Sequence, residues 1–145
     1  MSSSPPYSGQ CLCGKVRYSV DCIESRIGHC HCSMCRKFHG AAFATFGEAK
    51  AECFRWLAGE QLLKTYQAPN GTQRKFCREC GSSLIFQPSN DTGECVEFAL
   101  GTLDSKIQHK PDAHIFISSK ACWYDMDANH AMSQFSSGRD SPKMK

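Results

Sequence analysis

The sequence predicts a mainly β fold: a single domain of short antiparallel strands with few short helices. Three observations lead there. Val16, Tyr18 and Val20 share one parity, as a half-buried strand requires. About eight short β-rich runs alternate with Gly, Pro and Asn turn signals. Closely spaced cysteines recur along the chain, 11 among 145 residues. That length is one domain's worth, and 41% apolar with 21% charged residues excludes a disordered or fibrous chain.

In chain order, Met1 to Ser8 is Ser- and Pro-rich and reads as an N-terminal tail, so the domain is expected over 9–135. The first strand runs through Val16 to Val20. Further β-rich runs are Ile27 to His31, Phe43 to Phe46, Cys53 to Leu57, Leu62 to Tyr66, Leu84 to Phe86, Val96 to Leu100 and His114 to Ile117. The one helix-compatible piece is brief, around Ser33 to His39. Turns are expected at Ala58-Gly59, Pro69-Asn70-Gly71, Pro88 to Gly93 and Lys110-Pro111-Asp112. Residues 136–145 read as a disordered, basic C-terminal tail.

The cysteines set the compartment. An odd count cannot pair completely in intramolecular disulfides, and the N-terminus shows neither a basic n-region nor an apolar h-region. No apolar run approaches the roughly 18 to 20 residues of a spanning helix, so no membrane partner is expected and a cytoplasmic location is. The formal charge is +3, of which Arg139, Lys143 and Lys145 against Asp140 supply +2 near the C-terminus. The body is almost neutral, which disfavours a nucleic-acid partner. Closely spaced cysteines in a reducing compartment then read as metal ligands or redox groups.

Two half-sites stand out. Cys11 and Cys13 form C-x-C before Gly14, and Cys77 and Cys80 form C-x-x-C before Gly81. In an extended strand, residues two apart face the same side, so Cys11 and Cys13 offer two sulfurs to one point, and the glycine-terminated turn at Cys77 offers two more. Four sulfurs complete a closed structural zinc site. About 60 residues separate the halves, against roughly 15 to 20 in compact zinc motifs, so such an ion would tie the start of the domain to its middle. The alternative is two independent thiol pairs, or a redox pair at Cys77; no βαβ pattern surrounds it.

The second constellation is His29-Cys30-His31-Cys32-Ser33-Met34-Cys35-Arg36-Lys37-Phe38-His39-Gly40. Strand parity places Cys30 and Cys32 on one face, and Cys35 returns after a turn. Three protein ligands leave an open position, the arrangement of a catalytic zinc. A closed site completed by His39, Cys53, Cys95 or Cys122 is the alternative. Three thiolates leave the ion electron-rich, which disfavours hydrolysis and favours a thiol substrate held as its nucleophilic thiolate.

The order C-x-C-G, H-C-H-C-S-x-C-R-K-x-H-G-A, F-C-x-x-C-G-S-x-L and H-I-F-I-S-S-K-A-x-W-Y-D resembles the glutathione-dependent formaldehyde-activating enzyme family, which also contains a centromere protein. The resemblance covers Gly9 to about Phe135. It implies a β-tent zinc fold and S-(hydroxymethyl)glutathione synthase activity, a carbon–sulfur lyase in the reverse direction, with glutathione and formaldehyde as substrates. Carried over position by position, Cys11, Cys13, Cys77 and Cys80 match structural zinc ligands, and Cys30, Cys32 and Cys35 match catalytic zinc ligands, two zinc ions per chain. Cys122 departs from the pattern, standing where the family usually has proline.

Under this reading glutathione or another small thiol adds to formaldehyde or a related carbonyl compound. His31 or His39 could supply the proton, although parity turns His29 and His31 away from the cysteine face. Arg36, Lys37 and Lys120 are candidate anchors for the two glutathione carboxylates, and Trp123 a candidate pocket wall. Cys22, Cys53, Cys95 and Cys122 are expected as small buried hydrophobes. Two other functions compete: a non-catalytic zinc module for protein or chromatin association, which a long basic extension would favour, and a thiol redox or zinc-release sensor using Cys30, Cys32 and Cys35.

Overall fold

The computed structural model describes residues 4–126 and 132–144; the first three residues of the expected N-terminal tail lie outside them. Twelve strands are described: β1 Tyr7–Gln10, β2 Arg17–Val20, β3 Gly28–Cys30, β4 Ala44–Lys50, β5 Phe54–Ala58, β6 Leu63–Gln67, β7 Gln73–Cys77, β8 Ser83–Gln87, β9 Cys95–Ala99, β10 Ala113–Ile115, β11 Ser133–Phe135 and β12 Lys143–Met144. The one α-helix among the described residues is α1, Ser33–His39, on the segment the sequence marks for it. The fold is thus mainly β, and among the described residues no helix is long and apolar enough to cross a membrane.

The chain divides into two compact units. The first comprises the described residues of Met1–Glu24 and Gly47–His109. It holds an antiparallel sheet of order β1-β2-β5 and the antiparallel run β9-β8-β7-β6. The alternation read at Val16, Tyr18 and Val20 holds, since all three side chains are buried while Arg17 is exposed. Tyr18 centres the packing. Its ring stacks on Phe54 at 5.0 Å between centroids and meets Phe98 at 5.7 Å and Trp56 at 6.1 Å. Its hydroxyl bonds Thr102 Oγ1 at 2.7 Å, and Thr102 donates onward to the Ala99 carbonyl, so the polar tip is satisfied inside the core. Gly9 makes room for that ring: a Cβ there would overlap Tyr18 and the Thr102 carbonyl.

The second unit comprises Ser25–Phe46 and the described residues of Lys110–Lys145. Its strand order is β12-β11-β10-β3-β4, with Ala44–Phe46 of β4 pairing against β3. Pairing is mainly antiparallel, as expected, and the exception lies here, where β10 runs parallel to both β3 and β11. Asp112 clips this edge. Its backbone N–H donates to the Ile27 carbonyl, its carboxylate accepts from the Ile27 N–H, and Arg139 makes a two-pronged ion pair with it at 2.6 and 3.1 Å.

Other departures have physical reasons. Strand β7 carries no alternation of apolar residues, yet Arg74 is buried at its second position with the guanidinium over the Phe86 ring at 4.9 Å. Ile117 leaves the expected last strand for a 3-10 turn, Ile117–Ser119, entered through Phe116 in the left-handed region. Tyr7 and Ser8, placed by the sequence in the tail, open β1, where Tyr7 is buried and edges onto His109. Lys143–Met144, also in an expected tail, pair with Gln134 and Phe135.

Candidate metal centres

The first unit brings Cys11, Cys13, Cys77 and Cys80 together, their sulfurs all within 4.8 Å of one another. The reason is a pair of matching turns. After β1, Gly14 at φ 79° donates to the Cys11 carbonyl at 3.0 Å; after β7, Gly81 at φ 83° donates to the Cys77 carbonyl at 2.7 Å. Both glycines adopt the left-handed conformation that costs other residues free energy. Cys11 and Cys13 therefore converge through a turn, where sequence parity suggested a strand. Ser82 joins the halves: its hydroxyl accepts from the Leu12 N–H at 2.8 Å and contacts Cys80 Sγ at 3.3 Å.

The thiols in this group do not titrate alike. Burial raises Cys80, but bonds from the Ser82 hydroxyl and backbone and from the Cys13 backbone outweigh it and pull the thiol down to about 5. Cys13 goes the other way: the Lys15 backbone lowers it, while burial and the sulfurs of Cys11, Cys80 and Cys77 push it up to about 11. Negative charge on one sulfur suppresses ionisation of its neighbours. Four sulfurs so placed could hold a metal ion.

The second unit gathers Cys30, Cys32 and Cys35, again with their sulfurs within 4.8 Å of one another. Cys30 ends β3, but Cys32 does not continue the strand as parity proposed. It is the N-cap of α1, its sulfur accepting the Cys35 N–H at 3.2 Å, and Cys35 is buried in the first turn. A cap residue has extended dihedrals, here φ −62° and ψ 152°, so the chain can turn from strand into helix while all three sulfurs face one point. At the other end Gly40, with φ 59°, closes the helix and donates to the Arg36 carbonyl. The sulfurs of Cys32 and Cys35, together with burial, push Cys30 far up, so this cluster too does not carry three negative charges unaided. It could hold a metal ion, and no fourth Cys, His or carboxylate joins it among the described residues.

Packed against Cys30, Cys35 and Ala44 are Phe46, Ile115 and Phe116. The sequence marks Phe46 and Phe116 only as members of β-rich runs, with nothing to place either beside the cysteines. The signal for Phe116 was absent from any pattern, since it rests on a positive φ of 58° in a bulky residue, a conformation held by surrounding structure. His31 does turn away from the sulfurs. It is fully buried, its Nε2 lies 2.8 Å from His114 Nδ1, and its ring meets Phe43 and Tyr124. Burial, His114, His29, Lys120 and Arg36 hold it down at about 4, so it is neutral near pH 7. His39 sits on the last turn of α1 with its ring edge-on to Phe46 at 5.5 Å.

Among the candidate anchors, Arg36 donates through Nε to the Ser119 carbonyl, Lys37 is exposed, and Lys120 donates to the Tyr124 and Ala121 carbonyls. Trp123 is 70% exposed. The expectation of four buried leftover cysteines does not hold: Cys22 and Cys122 are exposed, and Cys53 and Cys95 are partly so.

Residues 6–119 match the family model described as glutathione-dependent formaldehyde-activating enzyme. The chain belongs to that family. An uncharacterised lyase of Schizosaccharomyces pombe is 27% identical over 122 residues, covering 83% of this chain and 85% of the relative. A putative glutathione-dependent formaldehyde-activating enzyme of Halomonas elongata is 28% identical over 131 residues, covering 83% and 80%. The crystal structure of a Rhodobacter sphaeroides protein superposes with a TM-score of 0.58 at 26% identity, over 70% of this chain and 91% of that one. All seven clustered cysteines fall inside the matched family segment.

Proposed function

We propose that this family member is a zinc-dependent carbon–sulfur lyase of the S-(hydroxymethyl)glutathione synthase type. It joins glutathione, or another small thiol, to formaldehyde or a related small carbonyl compound. The observation that carries this reading is the contrast in donor number: four sulfurs in one group and three in the other. A four-sulfur set is closed and structural, whereas a three-sulfur set leaves one position for substrate.

The donors fit zinc. Sulfur separations of 3.5 and 3.9 Å, for Cys11 to Cys13 and Cys13 to Cys77, bracket the edge of about 3.8 Å of a tetrahedron with zinc–sulfur bonds of about 2.3 Å. Cys11, Cys13, Cys77 and Cys80 would hold a structural ion, and Cys30, Cys32 and Cys35 a catalytic one. When bound at the second site, zinc supplies stabilisation of a substrate thiol in its reactive thiolate form.

The chain's own residues do the rest. Phe46, Ile115 and Phe116 wall the sulfur cluster with apolar surface, which excludes water from the reacting groups. Arg36 and Lys37 lie in the last turn of α1 and place positive charge where the glutathione carboxylates can be drawn. Addition of the thiol to the carbonyl carbon leaves an oxygen that must take a proton. His39, only partly buried, is the proton carrier we assign, because His31 is sealed in the core with Nε2 committed to His114.

Cobalt-substituted protein titrated with glutathione tests the reading. Glutathione is expected to add thiolate-to-metal absorption in the wild type and none in Cys32→Ser. A spectrum of closed four-thiolate coordination that ignores glutathione overturns it and leaves the binding-module role.

A further inference from the structure

Two more thiols meet outside both sulfur groups. Cys22 lies just beyond β2, and Cys53 ends the 3-10 turn Ala51–Cys53 that leads into β5. Antiparallel pairing of Val20 with Phe54 carries both to the same end of the sheet. The approach is braced: the Asp21 N–H donates to the Cys53 carbonyl at 2.8 Å, and Arg55 grips the Asp21 carboxylate through two bonds of 2.7 Å.

The sulfurs of Cys22 and Cys53 are 2.7 Å apart. That is well inside the roughly 3.8 Å that two thiolates sharing a tetrahedral zinc would need. It is instead within about an ångström of the disulfide bond length of about 2.05 Å. Spacing therefore separates this pair from the four-cysteine group, where Cys11 to Cys13 and Cys13 to Cys77 stand at 3.5 and 3.9 Å. Cys22 is exposed and Cys53 partly so, which admits a small-molecule oxidant.

We propose that Cys22 and Cys53 form a redox-active dithiol that closes to an intramolecular disulfide by exchange with a small-molecule disulfide such as glutathione disulfide. The hydrogen bond with Cys22, burial, and the negative charge of Cys22, Glu52 and Asp21 push the Cys53 thiol up to about 11. Cys53 thus keeps its proton, and the exposed Cys22 is the attacking sulfur. The Cys22 thiolate attacks one sulfur of glutathione disulfide, forming a mixed disulfide and expelling one glutathione. Cys53 then gives up its proton and attacks the Cys22 sulfur, forming the protein disulfide and expelling the second. Two protein thiols and one glutathione disulfide become one protein disulfide and two glutathione molecules, so electrons and protons balance.

The test uses the zinc-loaded full chain treated with glutathione disulfide, then alkylated with iodoacetamide and digested for mass spectrometry without reduction. In the wild type, a peptide pair cross-linked through Cys22 and Cys53 is expected, with alkylation of both lost and bound zinc unchanged. Cys53→Ser should stop at one glutathione on Cys22, while Cys22→Ser should leave Cys53 alkylated at least about tenfold more than in the wild type. Full alkylation of both cysteines in the oxidised wild type, or a lasting glutathione adduct on wild-type Cys22, overturns the proposal. The assay contains no carbonyl substrate, so its result is independent of the lyase reading.

Discussion

His114 is the residue whose role sequence could least foretell. It is fully buried, shares one hydrogen bond with His31, and has no partner for Nε2 among the described residues. Burial lowers its pKa, and His29, His31 and Phe43 are the rings that face it. Because the folded value lies below the unfolded value of 6.5, the folded state binds fewer protons. The resulting stability is fully present above pH 6.5 and is lost as pH falls through the folded value. One such group changes stability by up to about 1.4 kcal/mol per pH unit in that window. His114→Gln is expected to flatten the pH dependence of the melting temperature between about pH 7 and pH 5. Equal slopes in wild type and variant would show that His114 does not carry it.

At the scale of the element, α1 matters out of proportion to its seven residues. It holds two of three clustered sulfurs, Cys32 as cap and Cys35 in the first turn, and its C-terminus is fixed by Gly40 in the left-handed conformation. An alanine at position 40 meets no neighbouring atom within 4 Å, so its cost is conformational alone. Gly40→Ala should cost about 1 kcal/mol in chemical denaturation of the metal-loaded protein. A loss well below that would mean the helix end relaxes freely. The basic residues Arg36, Lys37 and His39 sit in its last turn, where the helix dipole favours them. The helix itself was legible, because Ser33 to His39 is helix-compatible and carries no Gly, Pro or Asn turn signal; the capping role of Cys32 was not, since alternation alone cannot tell the last residue of a strand from the first of a turn.

At the scale of the molecule, the two sulfur groups are expected to differ in what they do for folding. Cys30, Cys32 and Cys35 lie within six residues, whereas an ion held by the other group closes a loop of about 60 residues. By loop-closure entropy alone that difference is worth about 2 kcal/mol in favour of the four-cysteine group. Cys77→Ser should therefore lower the melting temperature by about 10 °C or more, and Cys32→Ser by only a few degrees, measured by circular dichroism on zinc-loaded protein. The reverse order would place the structural role at the other group.

The three half-sites were legible in the sequence because metal-type spacing is local: C-x-C, C-x-x-C and C-x-C-x-x-C each hold their sulfurs within a few residues. The expected meeting of Cys11 and Cys13 with Cys77 and Cys80 across about 60 residues is the work of the fold. Most strands were legible too, wherever one face is apolar. What sequence alone could not decide depends on partners distant along the chain. Arg74 carries no sequence signal for burial, yet its guanidinium lies over Phe86; β10 reads as one more antiparallel strand until it lies parallel to β3; and His31 reads as a candidate proton donor until His114 meets it in the core. Cys22 and Cys53 look like unrelated thiols 31 positions apart until the β2–β5 register brings their sulfurs to 2.7 Å. Local spacing sets which groups can act together, and the free energy of burying and pairing strands selects which distant ones do.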